Sequence, residues 1–200
     1  MKKAPIAVLI SGNGSNLQAL IDACAAPDFP AKIVTVICNK DEAFGLKRAE
    51  KAEIPTQIIR NKDYTTREEF DEALHKAIVA SGAEFVCLAG FMRLLTPGFV
   101  AKWQSRMINI HPSLLPAFKG MHTHEEALAA GVKTHGCTVH YVVAEMDSGP
   151  IIMQAEVPVL AGDTPETLGA RVLEKEHKVY PQALKKMILT KTAAQSLSDE

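Results

Sequence analysis

At 200 residues, 47% of them apolar and 22% charged, the chain has the composition of an ordinary soluble globular protein and length enough for one domain with a full core. Its formal charge of −1 gives no electrostatic ground for a nucleic-acid or membrane partner, and no segment approaches the about 18 consecutive apolar residues of a transmembrane helix. The apolar run from Ile6 to Ile10 is too short for a secretory signal, and four scattered cysteines (Cys24, Cys38, Cys87, Cys137) without a C-x-x-C pair fit a reducing cytoplasm rather than a disulfide scaffold.

Short apolar runs alternate with amphipathic stretches from the start of the chain. A strand is expected at Ile6–Ile10, then a helix at Leu17–Cys24, a strand at Lys32–Cys38 and a helix at Ala43–Ala52. The pattern repeats with strands at Thr56–Ile59, Phe85–Ala89 and Met107–Ile110, and helices at Arg67–Ala80 and Pro97–Trp103. Buried strands alternating with helices form βαβ units, so the expected fold is α/β: a Rossmann-like open, mainly parallel sheet with helices on both faces. After His111 the pattern changes to a helix at Thr123–Ala130 and two strands, Cys137–Val143 and Ile151–Glu156, expected to pair antiparallel across the turn "AEMDSGP". Thr164-Pro165-Glu166 starts a long helix to about Leu189, with an interruption expected near Pro181. A single domain is expected over residues 1–189, and the polar tail 190–200 is expected to fray.

Ligands of open parallel sheets bind beyond the carboxyl ends of the strands, which directs attention to four loops. The first is "SGNGSN", Ser11 to Asn16, where Gly12 and Gly14 allow backbone amides at a helix start to face a phosphate. It is not a dinucleotide fingerprint, because Leu17 stands where the third glycine belongs, and no G-K-[ST] supports a nucleotide triphosphate. A phosphate is favoured over a plain capped turn because small polar residues fill the whole loop.

The second loop is "LAGFMRLLTP". Core packing and an apolar pocket wall with Arg93 inside it both fit Phe91, Met92, Leu94 and Leu95. The third is "MINIHPSLLP". Strand alternation turns Asn109 and His111 to one face, and an amide beside an imidazole suits a developing oxyanion. A lone histidine at a strand end is more often structural, but Asn109 and the rigid Pro112–Pro116 loop weigh towards function. The fourth contains Asp147, alone best read as a turn former. Beside His111 its carboxylate would favour imidazolium, the free imidazole titrating at about 6.5. Arg67 opens a helix where a cation is unusual; an anion partner and a surface pair with Glu68 or Asp71 both fit. His122, His124, His135 and His140 show no H-x-x-x-H or H-E-x-x-H spacing, so no metal is expected.

Taken together, "SGNGSNLQAL", "NKDEAFGLKRA", "LAGFMRLL", "NIHPSLLP", "HTHEEAL", "HGCTVHYV", "MDSGPII" and "EKEHKVYP" resemble the glycinamide ribonucleotide formyltransferases, the 10-formyltetrahydrofolate-dependent enzymes of de novo purine biosynthesis. The resemblance covers about residues 5 to 185; the "NIHPSLLP…D-x-GP" core belongs to the wider group of 10-formyltetrahydrofolate enzymes, and "SGNGSN" narrows it to the glycinamide branch. It implies Asn109, His111 and Asp147 as the catalytic trio. It further implies Gly14, Ser15 and Asn16 at the ribonucleotide phosphate and Glu176 at the ribose. Met92, Arg93, Leu94 and Leu95 would line the folate pocket with Asn109, and Arg67 would sit near the folate. Ala144 departs from the polar or acidic residue of some relatives, in the loop that would contact folate. The implied reaction is direct attack of the glycinamide amine on the formyl carbon through an Asn/His-stabilised tetrahedral intermediate, with no metal.

Two enzymes with the same trio differ in what surrounds it. A formyltetrahydrofolate hydrolase carries an extra regulatory domain ahead of its first strand, and a methionyl-tRNA formyltransferase a basic C-terminal domain; length and charge favour neither. The expected partners are therefore small-molecule substrates, with no nucleic acid and no membrane, and the sequence leaves a homodimer open.

Overall fold

The computed structural model describes residues 2–198, with side chains to Ala194. Its elements in chain order are β1 (Ala4–Ile10), α1 (Ser15–Ala25), β2 (Ala31–Cys38), α2 (Phe44–Lys51), β3 (Thr56–Ile58), α3 (Arg67–Ala80), β4 (Phe85–Leu88), α4 (Pro97–Lys102), β5 (Met107–His111), α5 (Thr123–Ala129), β6 (Thr134–Tyr141), β7 (Ile151–Pro158) and α6 (Pro165–Ser198). Among the described residues, these strands form one seven-stranded sheet in the order β3-β2-β1-β4-β5-β6-β7. β1 to β5 run parallel, β6 runs antiparallel to β5, and β7 antiparallel to β6. This is the expected α/β sheet, mostly parallel, with its antiparallel C-terminal pair.

β1 shows why the strands read as unbroken apolar runs. Ile6, Val8 and Ile10 point into a core that holds Leu17, Leu20, Leu46, Tyr180 and Leu184. The alternate residues Ala7 and Leu9 point into a second core with Phe70, Leu74, Phe99 and Trp103. A strand buried on both faces has no polar alternation to display. A third cluster, Ala127, Cys137, Val157, Leu168 and Val172, seats α5 and the start of α6 on the antiparallel pair. The Tyr180 hydroxyl donates to the Leu88 carbonyl (2.7 Å), pinning α6 to the sheet between β4 and β5.

Several boundaries differ from expectation. β6 starts at Thr134 and stops at Tyr141, and β7 continues to Pro158, because ladder pairing to the neighbouring strand extends the pair beyond its apolar residues. A single 3-10 turn, Asn61–Asp63, follows β3. α6 passes through Pro181 and extends to Ser198, beyond the expected end near Leu189. A proline forfeits one backbone donor, and here tertiary packing of Tyr180, Ala183, Leu184, Met187 and Ile188 holds the helix through it. Past Leu189 no glycine or proline stops the helix, and the Thr190 and Thr192 hydroxyls donate back to carbonyls four residues earlier. Asp199 and Glu200 of the expected tail lie outside the described residues.

The strand order reverses between β1 and β4, which places the loops after these two strands side by side at the carboxyl end of the sheet.

Candidate active site

The first loop is built on glycine contacts. Gly14 caps α1 in the left-handed conformation (φ 73°), with no side-chain hydrogen bond to the helix start. Its Cα lies so close to α2 that an added Cβ would sit 2.6 Å from the Gly45 Cα. No other residue fits there, since both the positive φ and the close approach exclude a side chain. Arg48 of α2 fixes the loop from outside, donating from Nε to the Asn13 carbonyl (2.9 Å) and from Nη2 to Asn13 Oδ1 (2.7 Å). Ser15, Arg48 and His177 line an open cavity beside the helix start, with Gln18, Ala19 and Asp22. At its inner edge Asn16 Nδ2 donates to Glu176 Oε2 (2.7 Å). Burial raises the Glu176 carboxyl above its ordinary range, and the Asn16 hydrogen bond works against that rise. Gly14, Ser15, Asn16 and Glu176, assigned by resemblance to one ligand, are thus brought together across 160 residues of chain.

Ser11 crosses the switch point. Its hydroxyl donates to Asn39 Oδ1 (2.6 Å) and accepts from the Met92 N–H (2.7 Å), so the loops after β1, β2 and β4 share one buried oxygen. In the β4 loop Met92 and Leu94 expose 55% and 56% of their surface, whereas Leu95 is buried in the core with Phe70 and Phe99. Arg93 turns its guanidinium over the Phe70 ring at 4.9 Å. Arg67 donates from Nη2 to the Leu94 carbonyl (2.8 Å), not to Glu68 or Asp71. Asp71 is itself buried, receiving the Thr96 N–H on Oδ2 (2.7 Å), so it is not a surface partner for Arg67.

At the end of β5, Asn109 and His111 share a face as strand alternation requires, and register sets His140 of β6 opposite Asn109. His140 Nδ1 donates to the Tyr141 carbonyl (2.9 Å), so its Nε2 is left to accept from Asn109 Nδ2 (3.4 Å). Burial holds the His140 ring below the ordinary histidine range, consistent with this neutral tautomer; the Tyr141 carbonyl and Asp147 pull the other way. The amide of Asn109 therefore has its orientation set, with one N–H held and the other unassigned.

His111 is buried, and both of its nitrogens face oxygens. Nε2 lies 2.9 Å from the Phe118 carbonyl and Nδ1 lies 3.5 Å from Asp147 Oδ1. A carbonyl and a carboxylate only accept, so each ring nitrogen faces an acceptor oxygen. Asp147 Oδ1 also lies 3.9 Å from His140 Nε2, and Oδ2 accepts the Gly120 N–H at 3.0 Å. Asp147 sits at φ 51°, a conformation that a non-glycine residue holds only under local constraint, here those contacts and the turn that follows. The loop from Pro112 is tied down separately. Thr138 Oγ1 donates to the Ser113 carbonyl and accepts the Leu115 N–H, and Gln154 donates to the Leu115 carbonyl.

Behind His111, His124 Nδ1 and His135 Nε2 meet at 3.1 Å, and the Phe118 ring packs edge-on against His135. Burial pushes His135 down to about 4, with His124 and His111 adding to the shift, and burial also lowers His124. A histidine with a folded pKa below its free value of about 6.5 binds fewer protons when folded. Its contribution to stability is complete above about pH 6.5 and is lost as the pH falls towards 4. The melting temperature is expected to be lower at pH 5 than at pH 7 by roughly 3–6 °C for a chain of this size. His135→Asn is expected to narrow that gap. A pH-independent melting temperature in calorimetry would remove the buried neutral histidines from the account.

Sequence reasoning missed His140, set aside with the metal-ligand candidates, and the roles of Ser11 and Asp71. Strand register brings His140 to Asn109, and register is not readable from either strand alone. Asp71 did leave a signal, since it interrupts the apolar stripe Phe70, Leu74, Ile78 of α3. Among the described residues no three or more His, Cys, Asp or Glu side chains form a group that could hold a metal, and no helix is long and apolar enough to cross a membrane.

Residues 4–184 match the formyl transferase family model, and the chain belongs to that family. It is 49% identical to the phosphoribosylglycinamide formyltransferase of Escherichia coli (strain K12), over 88% of this chain and 83% of that protein. The crystal structure of phosphoribosylglycinamide formyltransferase from Brucella melitensis superposes with a TM-score of 0.89 at 52% identity, covering 92% of this chain and 95% of that one. Within the family, the chain belongs with the phosphoribosylglycinamide formyltransferases. It is also 55% identical to the trifunctional purine biosynthetic protein adenosine-3 of Bos taurus, of which it spans only 18% of the length.

Proposed function

We propose that the protein transfers the formyl group of 10-formyltetrahydrofolate to the amine of glycinamide ribonucleotide, a step of de novo purine biosynthesis in the cytoplasm. The observation that carries this reading is the convergence of Asn109, His111 and Asp147 at the end of β5, where His111 meets the carboxylate on one nitrogen and the Phe118 carbonyl on the other. The two phosphoribosylglycinamide formyltransferases at 49% and 52% identity, covered over 83% and 95% of their chains, support it.

The proposed chemistry is direct attack. The amine nitrogen forms a bond to the formyl carbon, and the carbonyl oxygen takes the displaced electron pair. The free N–H of Asn109 and the Nε2–H of His111, turned from Phe118, stabilise that oxyanion. Asp147 keeps His111 charged and, through a water, moves the proton from the attacking amine to the folate nitrogen as its bond to the formyl carbon breaks. Donors and a base suffice for these steps, so neither a metal nor a covalent enzyme intermediate is required. Gly14, Ser15 and Asn16 hold the phosphate at the uncapped start of α1, and Glu176 meets the ribose. Met92, Arg93, Leu94 and Leu95, with Asn109 and Arg67, form the folate pocket; the apolar side chains exposed at Met92 and Leu94 beside main-chain polar groups suit a flat heteroaromatic ring.

The test is to give purified protein 10-formyltetrahydrofolate with and without glycinamide ribonucleotide and to follow the deformylated folate. Release that requires the ribonucleotide is the expected result. Release without it would make the protein a hydrolase, and no release would make it a binding module; either outcome overturns the proposal.

A further inference from the structure

The segment from Met92 to Thr96 lies between β4 and α4 with no helix or strand of its own. Its main chain is held instead by side chains of other elements. Ser11 Oγ accepts the Met92 N–H at 2.7 Å, Arg67 donates to the Leu94 carbonyl at 2.8 Å, and Asp71 Oδ2 accepts the Thr96 N–H at 2.7 Å. The fourth anchor is the Arg93 guanidinium on the Phe70 ring. Arg67, Phe70 and Asp71 occupy positions i, i+3 and i+4 of α3, which is the spacing of one helix face. One face of the first two turns of α3 therefore acts as a template for this loop.

Asp71 is the least expected member of that face. It is 4% exposed, it stands in the apolar stripe of α3, and its second oxygen, Oδ1, has no partner among the described residues. A buried carboxylate is costly where it is not needed, and no step of the proposed mechanism uses it. What it does contact is the Thr96 N–H, at the point where the loop turns into α4. We infer that Asp71 is a positioning residue for the formyl-donor pocket, acting through Thr96 on the course of Met92 to Leu95. The inference rests on the reading of that segment as the folate wall.

Two variants of similar side-chain size test it in the full chain. Asp71→Asn keeps an oxygen that can accept the Thr96 N–H, and Asp71→Leu keeps none. Asp71→Leu is expected to raise KM for 10-formyltetrahydrofolate roughly tenfold while KM for the ribonucleotide stays within about twofold, and Asp71→Asn is expected to recover most of the loss. In amide hydrogen exchange of the free protein, Asp71→Leu speeds exchange at Thr96 and its loop neighbours and leaves Gly14 to Asn16 unchanged. An unchanged folate KM in the leucine variant, a parallel rise in both KM values, or an asparagine variant as impaired as the leucine one overturns the inference. If the wild-type protein transfers no formyl group, the functional reading fails on its own, and the exchange comparison still decides the positioning role: unaltered exchange at Thr96 overturns it. If Asp71→Leu does not fold, the wild-type protein supplies the decisive value. A Thr96 amide that exchanges as fast as an open loop overturns the inference, and a strongly protected one supports it.

Discussion

Asp147→Asn is expected to lower kcat by roughly 10²–10⁴-fold, the range for removal of a general acid–base group, with KM for either substrate changed much less. The substitution keeps the shape of the side chain. One amide oxygen can still accept the Gly120 N–H, now 3.0 Å from Oδ2, so the turn should stay folded and the melting temperature should shift by no more than a few degrees. What disappears is the charge 3.5 Å from His111 Nδ1 and the ability to carry a proton. Steady-state kinetics across neutral pH are the check. Turnover near the wild-type level would show that the carboxylate has no part in the reaction.

The second large effect is expected at Gly149, two residues beyond Asp147. A Cβ there would lie 1.7 Å from the Tyr141 carbonyl oxygen and 2.8 Å from its carbon, and backbone cannot swing aside as a side chain can. Gly149→Ala must push the turn away from the end of β6, at a cost of about 3 kcal/mol, the upper part of the range for overpacking. For a chain of this length that is a fall of roughly 6–12 °C in melting temperature. Because the same turn carries Asp147, kcat should fall with it, beyond what stability alone explains. Gly98→Ala is the control: no atom lies within 4 Å of the added Cβ, and the substitution should be neutral or slightly stabilising by calorimetry. Equal behaviour of the two variants would contradict the close-approach argument.

The parallel part of the sheet was legible because its strands are buried on both faces and its helices carry one apolar stripe each. Ile6 to Ile10 and Met107 to Ile110 could hardly be anything else between glycine, proline and polar punctuation. Boundaries were less legible where tertiary contacts override local signals. Pro181 reads as a break, yet the packing of Tyr180 and Leu184 carries α6 through it. Thr134 to Gly136 has weak strand character but pairs with Glu156 to Pro158. At the site, Asn109 and His111 followed from alternation within one strand. The expected antiparallel pair could aim the Asp147 turn back at the site, but its place in the catalytic trio came from resemblance, since nothing local fixes a turn 36 residues beyond His111 against it. His140 lay beyond reach, because it matters through one long-range hydrogen bond to Asn109 that the chain's own neighbourhood does not encode; Asp71 stood out as an acid in an apolar stripe, but its partner Thr96 was not readable from α3 alone.

The most direct test of the account follows the formyl carbon itself. 10-Formyltetrahydrofolate labelled with ¹³C in the formyl group, incubated with the protein and glycinamide ribonucleotide, should deliver the label to the ribonucleotide as an amide carbon, one for each folate released. Label recovered as free formate, or folate released without labelled ribonucleotide, would contradict direct transfer between the two substrates.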